Sequence, residues 1–277
     1  MNRYLKLVHM EIYRFRIVLL VLMGITALCQ MSALIWMLKK ALSDLRGEHP
    51  EAGAYFSPIP LRISFEWAMF NTQMWFIIPV LLCISVLSLY VFFIWYRDWI
   101  GRNAFIYRLL MLPTARRNIY LAKITALLLF VLSIVSFQLA LLPVLELVIR
   151  LVVPAELRAD SHIIDIISSN QALVELIPRQ FEQFFYMYGA GAVIVAAVFT
   201  AILLERSYRR LGILYGLLYL SGCGLVVASP ILLFGTNESV IYLYPTEIYL
   251  MLLLLFLLVA SASVWLGMRL IAKKITV

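Results

Sequence analysis

Six stretches of this chain run for at least 21 residues without a charged side chain: 17–38, 67–96, 124–145, 183–204, 211–237 and 248–268. A helix rises about 1.5 Å per residue and a bilayer core is roughly 30 Å thick, so about 20 apolar residues are enough to cross it. Only a helix, whose backbone groups pair within the segment, can cross in a single run. The sequence therefore predicts an all-α polytopic membrane protein with six transmembrane helices. Residues 1–277 form a single six-span domain in this reading, because no connecting stretch is long enough for a separate soluble domain of about 50 residues.

Charge sets the expected orientation. With the N-terminus inside, sixteen of the 23 basic residues and only three of the 15 acidic residues (Glu11, Asp98 and Glu205) fall on the inner side. The inner side then carries +13 and the outer side −5, which gives the chain's net +8. Inner loops of membrane proteins hold the lysine and arginine excess. Both termini are thus expected in the cytoplasm, and the basic character reads as the positive-inside bias of a membrane protein rather than as a nucleic-acid-binding charge.

The first sixteen residues read as an interfacial elbow. Leu5, Val8, Ile12 and Phe15 recur at helical spacing, while Arg3, Lys6, Glu11 and Arg14 fall elsewhere. Outer segments 39–66 and 146–182 read as plain connectors or, alternatively, as pieces that cap or gate a pathway. The first is irregular, and the second carries a short amphipathic helix around Ile163, Ile167, Leu173 and Ile177. Pro79, Pro143 and Pro230 interrupt three spans. Gly222, Gly224 and Pro230 together predict a broken fifth span. Small residues at four-residue spacing, Gly212 with Gly216 and Ala192 with Ala196, allow close helix approach, either within the chain or at a dimer seam. Gln30 and Gln138 either line a pathway or bond helix to helix.

Enzyme chemistry finds little support. No lysine follows a glycine, so no phosphate-cradling loop of the Gly-x-x-x-x-Gly-Lys kind exists. The three histidines, His9, His49 and His162, fall outside the spans and make no zinc motif. Cys29, Cys83 and Cys223 lie singly within spans and read as packing residues. The chain is expected to have no catalytic residue, no metal and no cofactor of its own.

The longest inner loop, 97–120, is the most informative segment. Its apolar pairs Phe105–Leu109 and Ile106–Leu110 sit at i, i+4 within a setting rich in arginine. Gly101 opens the segment, Pro113 ends it and Thr114 caps the next helix. The physics allows two readings: an interfacial helix on lipid phosphates, or a docking helix for a soluble partner.

The run 107–123 resembles the segment before the third span in permease subunits of type-2 ATP-binding-cassette transporters. There a Leu-Leu-x-x-Pro-Ser/Thr-x-Arg turn follows a coupling helix and leads to a lysine at the next helix start. Leu109, Leu110, Pro113, Thr114, Arg116 and Lys123 match. The connection between spans five and six departs from many exporters of this class, being only about ten residues long. The resemblance implies a permease subunit, acting as an exporter, that forms the translocation path with a second permease copy or a homologous permease. A separate ATPase subunit would bind ATP and magnesium. Docking would fall to Arg102, Phe105, Arg108, Leu109, Leu110, Pro113, Thr114, Arg116 and Arg117. The alternative is a non-transporting sensor, immunity or assembly protein that holds a cytoplasmic partner by the same loop.

Overall fold

The computed structural model describes residues 3–45, 47, 59–60, 62–99, 106, 109, 111, 115–159, 167–178, 180–208, 211–234 and 244–273. These residues form eight α-helices: α1 (Arg3–Leu45), α2 (Phe65–Asn71), α3 (Gln73–Trp99), α4 (Arg117–Val152), α5 (Gln171–Leu176), α6 (Phe181–Ser207), α7 (Gly212–Phe234) and α8 (Pro245–Lys273). No strand occurs among them. Six helices, α1, α3, α4, α6, α7 and α8, are long and apolar enough to cross a membrane. Large apolar side chains such as Leu28, Leu89, Leu147, Leu217 and Leu258 stand exposed along them. Water would penalise such surfaces, whereas lipid does not distinguish them from a core. The chain is a multi-pass membrane protein in fold class.

Several expectations change in detail. The elbow expected at 1–16 is continuous with the first span in one helix of 43 residues. No proline or glycine lies between Arg3 and Met23 to interrupt it. Its buried face holds Leu7, Val8, Glu11 and Phe15 rather than Leu5 and Ile12, so Glu11 points inward and Leu5 outward. The second charge-free run is two helices rather than one. Ser64 caps α2 by accepting from the Trp67 amide, and at its end the Thr72 hydroxyl donates to Ala68 O at 2.8 Å. The fifth span is unbroken: α7 passes through Gly222, Gly224 and Pro230. One missing amide removes one bond, and the surrounding ladder holds.

The chain divides into two compact units. One comprises Arg14–Leu87 and Phe130–Gln180. Its core joins Leu34, Met37, Leu38 and Ala41 of α1 to Leu141, Leu142, Leu145 and Ile149 of α4, with Met69, Phe76 and Leu173 between them. The i, i+3, i+4 spacing on each helix supplies the apolar stripe. The described residues between α4 and α6 are held here. Ile63 donates its amide to Leu157 O and accepts from Ala159 N. Asn170 caps α5 and its Nδ2 donates to Met69 O at 3.2 Å. Leu173 is thus a core residue of this unit; Ile163 lies outside the described residues.

The other unit comprises Met1–Tyr13, Ser88–Leu129 and Phe181–Val277. In it α6 packs against both α7 and α8. A Cβ on Gly212 would lie 2.1 Å from Glu205 O, and one on Gly216 would lie 3.1 Å from Ala201 O. Both glycines are therefore taken up by an internal α6–α7 seam.

Candidate functional site

The second unit gathers a buried charge cluster from three separated segments. Lys123, in the second turn of α4, is 1% exposed, as are Glu11 of α1 and Asp98 at the end of α3. The Lys123 ammonium donates to Asp98 Oδ2 at 2.5 Å, to Glu11 Oε1 at 3.1 Å and to the Ile94 carbonyl at 2.7 Å. Three donors and three acceptors match, so the ammonium is fully satisfied. Arg97 donates to Glu11 Oε2 at 2.9 Å. Among the described residues, two cations thus meet two carboxylates, and opposite charges within reach offset the cost of burying them.

Helix geometry explains the meeting. Ile94, Asp98 and the buried Trp95 share a face at i, i+4 spacing, and Lys123 lies one turn beyond Tyr120 on α4. The Lys123 ammonium sits 5.0 Å from the Trp95 ring centroid. Trp95 packs edge-on to Phe199 at 5.7 Å, and Tyr120 packs edge-on to Phe199 at 6.3 Å. The Tyr120 hydroxyl reaches the Ala196 carbonyl and Thr200, and Thr200 in turn bonds the Ser263 carbonyl. The charge cluster thus grades into an aromatic and hydroxyl junction of α3, α4, α6 and α8.

The third acid of the inner set, Glu205 on α6, accepts from the Tyr96 hydroxyl. Beside it the Arg206 guanidinium lies 4.9 Å from the Tyr96 ring and 5.7 Å from that of Trp99. Each of the three acids assigned to the inner side is therefore held by a partner on another helix. Lys123, counted among solvated inner charges, is a buried ion. A charge count cannot see this, because it weighs sequence position and not burial.

Of the loop residues named for docking, Arg102, Phe105, Arg108, Leu110, Pro113 and Thr114 lie outside the described residues. Leu109 is described, helical and 2% exposed, and Ile106 one turn earlier is fully buried. Leu109 thus anchors the loop within its own chain and offers no free surface to a partner. Met111 is exposed. Arg116 and Arg117 line an open cleft with α8.

The remaining named residues separate by role. Gln138 Nε2 donates to Gln30 Oε1 at 3.0 Å, and both are buried. The pair ties α1 to α4; the Gln30 amide nitrogen is buried without a partner. Ala196 is buried under the Tyr120 bond, whereas Ala192 lines an apolar cavity of about 250 Å³ with Ile124, Tyr186, Val193 and Phe256. No group of histidine, cysteine or acidic residues with metal-binding geometry occurs among the described residues. In sequence alone, Glu11, Asp98 and Lys123 are simply charges beside the inner loops. The available signal was the isolation of three acids on a strongly basic side, where each is expected to have a specific cation or donor. Comparison with known proteins finds no matching family model, no matching curated protein and no matching solved structure.

Proposed function

We propose that this chain is the membrane-spanning permease subunit of a type-2 ATP-binding-cassette transporter. It acts as an exporter in a plasma membrane, with both termini and the 97–120 loop in the cytoplasm. The observation that carries this reading is the buried Glu11–Lys123–Asp98–Arg97 cluster. Asp98 and Lys123 bracket the loop, so its two ends are clamped to each other and to the N-terminal helix. A push on a loop held this way moves α1, α3 and α4 together instead of flexing the linker. Lys123, one of the residues that carry the resemblance, thereby acquires a physical role: it is the central ion of the clamp.

A separate ATPase subunit would dock on the loop through Arg102, Phe105, Arg108, Leu110, Pro113, Thr114, Arg116 and Arg117. Leu109 would brace the segment from beneath. ATP with magnesium belongs to that partner, and a second permease would complete the path. Phe105→Asp and Arg108→Glu should leave the protein in the membrane but abolish ATPase copurification and uncouple hydrolysis from transport. Normal capture and coupled turnover in both variants would overturn the docking assignment. Capture of a partner with no ATPase activity would instead favour the sensor or assembly reading. Ala115 is exposed, so Ala115→Cys should react with impermeant reagent only from the cytoplasmic face.

A further inference from the structure

We infer that the cleft between the start of α4 and the end of α8 is a binding site for the headgroup of an anionic phospholipid. Arg116 and Arg117 line it from one side; Trp265, Met268, Arg269 and Lys273 line it from the other, around an open volume of about 580 Å³. Four cations meet there, and none of the lining residues is acidic. Such a concentration of one sign attracts an anion, and a phosphodiester is the anion that a membrane supplies at this depth.

The depth follows from the two helices. Residues 248–268 of α8 carry no charge, and Arg269 is the first to do so. Trp265, Arg269 and Lys273 are spaced at i, i+4 and i+8, so they form one stripe about 12 Å long. The stripe passes from an indole through a guanidinium to an ammonium. Trp265 is 58% exposed, and the Arg269 guanidinium lies 5.1 Å from its ring centroid. An aromatic ring below and cations above is the layering of the bilayer boundary, where indoles sit at headgroup level. On the other wall, Arg117 opens α4, and its uncharged run begins at Ile124. Both walls therefore change from apolar to basic at the cleft, which suits a ligand with a phosphate at one end and acyl chains at the other. A soluble acidic partner would have no use for the apolar lower wall.

Side chains do the recognising. The first amides of α4 are already used: Asn118 N donates to Ala115 O at 2.8 Å and Ile119 N to Arg116 O at 3.1 Å. Guanidiniums offer paired donors to phosphate oxygens, and Lys273 adds a point charge. Arg116 and Arg117 are shared with the proposed ATPase-docking loop, whereas Arg269 and Lys273 are not, so variants at Arg269 and Lys273 test the site apart from the transporter reading.

The test uses the full-length protein purified in detergent, with thermal unfolding and native mass spectrometry as readouts. Phosphatidylglycerol should raise the unfolding temperature and remain bound, while phosphatidylcholine and inorganic phosphate at equal concentration should do neither. Arg269→Gln with Lys273→Gln should weaken phosphatidylglycerol retention at least about tenfold. Arg150→Gln, which removes a cation paired with Glu146 elsewhere, should leave retention unchanged. If the double variant does not purify as a single species, Arg269→Gln alone replaces it, with the same expectation. Retention unchanged in the cleft variant, or equal retention of the zwitterionic lipid, would overturn the site. An equal shift with inorganic phosphate would make it a free-phosphate site and overturn the lipid assignment. Loss of ATPase capture with lipid retention intact would reassign the cleft to protein docking.

Discussion

Lys123 and Asp98 form a buried ion pair at 2.5 Å that joins the second turn of α4 to the last turn of α3. Glu11 completes it from α1, 112 residues earlier in the chain. Lys123 touches both carboxylates, and Lys123→Met removes that cation. Breaking a buried pair from one side costs about 3–5 kcal/mol. Lys123→Met with Asp98→Leu removes both charges and should recover a large part of that loss. Denaturation of single and double variants measures the coupling, and strictly additive losses would show that Lys123 and Asp98 do not act as a unit.

Gly267 is predicted to be intolerant of any side chain. A Cβ there would lie 2.7 Å from two Tyr120 ring carbons. Gly267→Ala should destabilise by roughly 1–3 kcal/mol through overpacking. Pairing it with Tyr120→Leu should relieve the clash and reduce the penalty. Gly222→Ala is the control, since nothing lies within 4 Å of a Cβ at that position. Thermal unfolding of the four proteins decides the matter.

Gly212 should prove more severe than Gly267. The atom its Cβ would meet belongs to the backbone, Glu205 O at 2.1 Å, which cannot rotate away as a side chain can. Gly212→Ala is expected to separate α6 from α7 locally. The Glu205 bond to Tyr96 lies at the same end of α6, so faster cysteine labelling at Tyr96→Cys in the Gly212→Ala background would report the opening. Unchanged labelling and stability would refute the tight seam.

Gln30 and Gln138 are predicted to be a tie rather than a lining. Gln138→Leu leaves the Gln30 amide buried with no partner and should cost about 1–3 kcal/mol. Gln30→Leu with Gln138→Leu removes both polar groups and should be close to neutral. Single variants that cost stability beside a near-neutral double variant would establish the tie, and in the proposed transporter a loss of transport with stability intact would instead make the pair part of a pathway.

The spans were legible because their signal is local. Twenty or more uncharged residues oblige the backbone to pair with itself in lipid, whatever the rest of the chain does. The 124–145 and 183–204 runs accordingly lie inside α4 and α6. Where the second run splits at Thr72, the cause is also local, a capped short helix, but it hides within an uninterrupted apolar composition. The partition of the small-residue steps was not legible. Gly212 and Ala192 look alike in sequence, and only the neighbouring helix determines that one meets a backbone carbonyl while the other lines a cavity.

Six helices long and apolar enough to cross a membrane, and the expectation of a basic and an acidic side, follow from the order of residues, since hydropathy and charge act over segments of a single run. What the charges at the helix ends do follows only from packing. Glu11, Asp98 and Lys123 are each ordinary loop-side ions in one dimension. Three helix faces converging at one point remove them from solvent, and a buried charge then holds only where its opposite is within reach. Arg117 and Lys273 show the converse. They stay exposed, and the approach of two helix ends separated by about 150 residues gathers them, with Arg116 and Arg269, into one basic cleft.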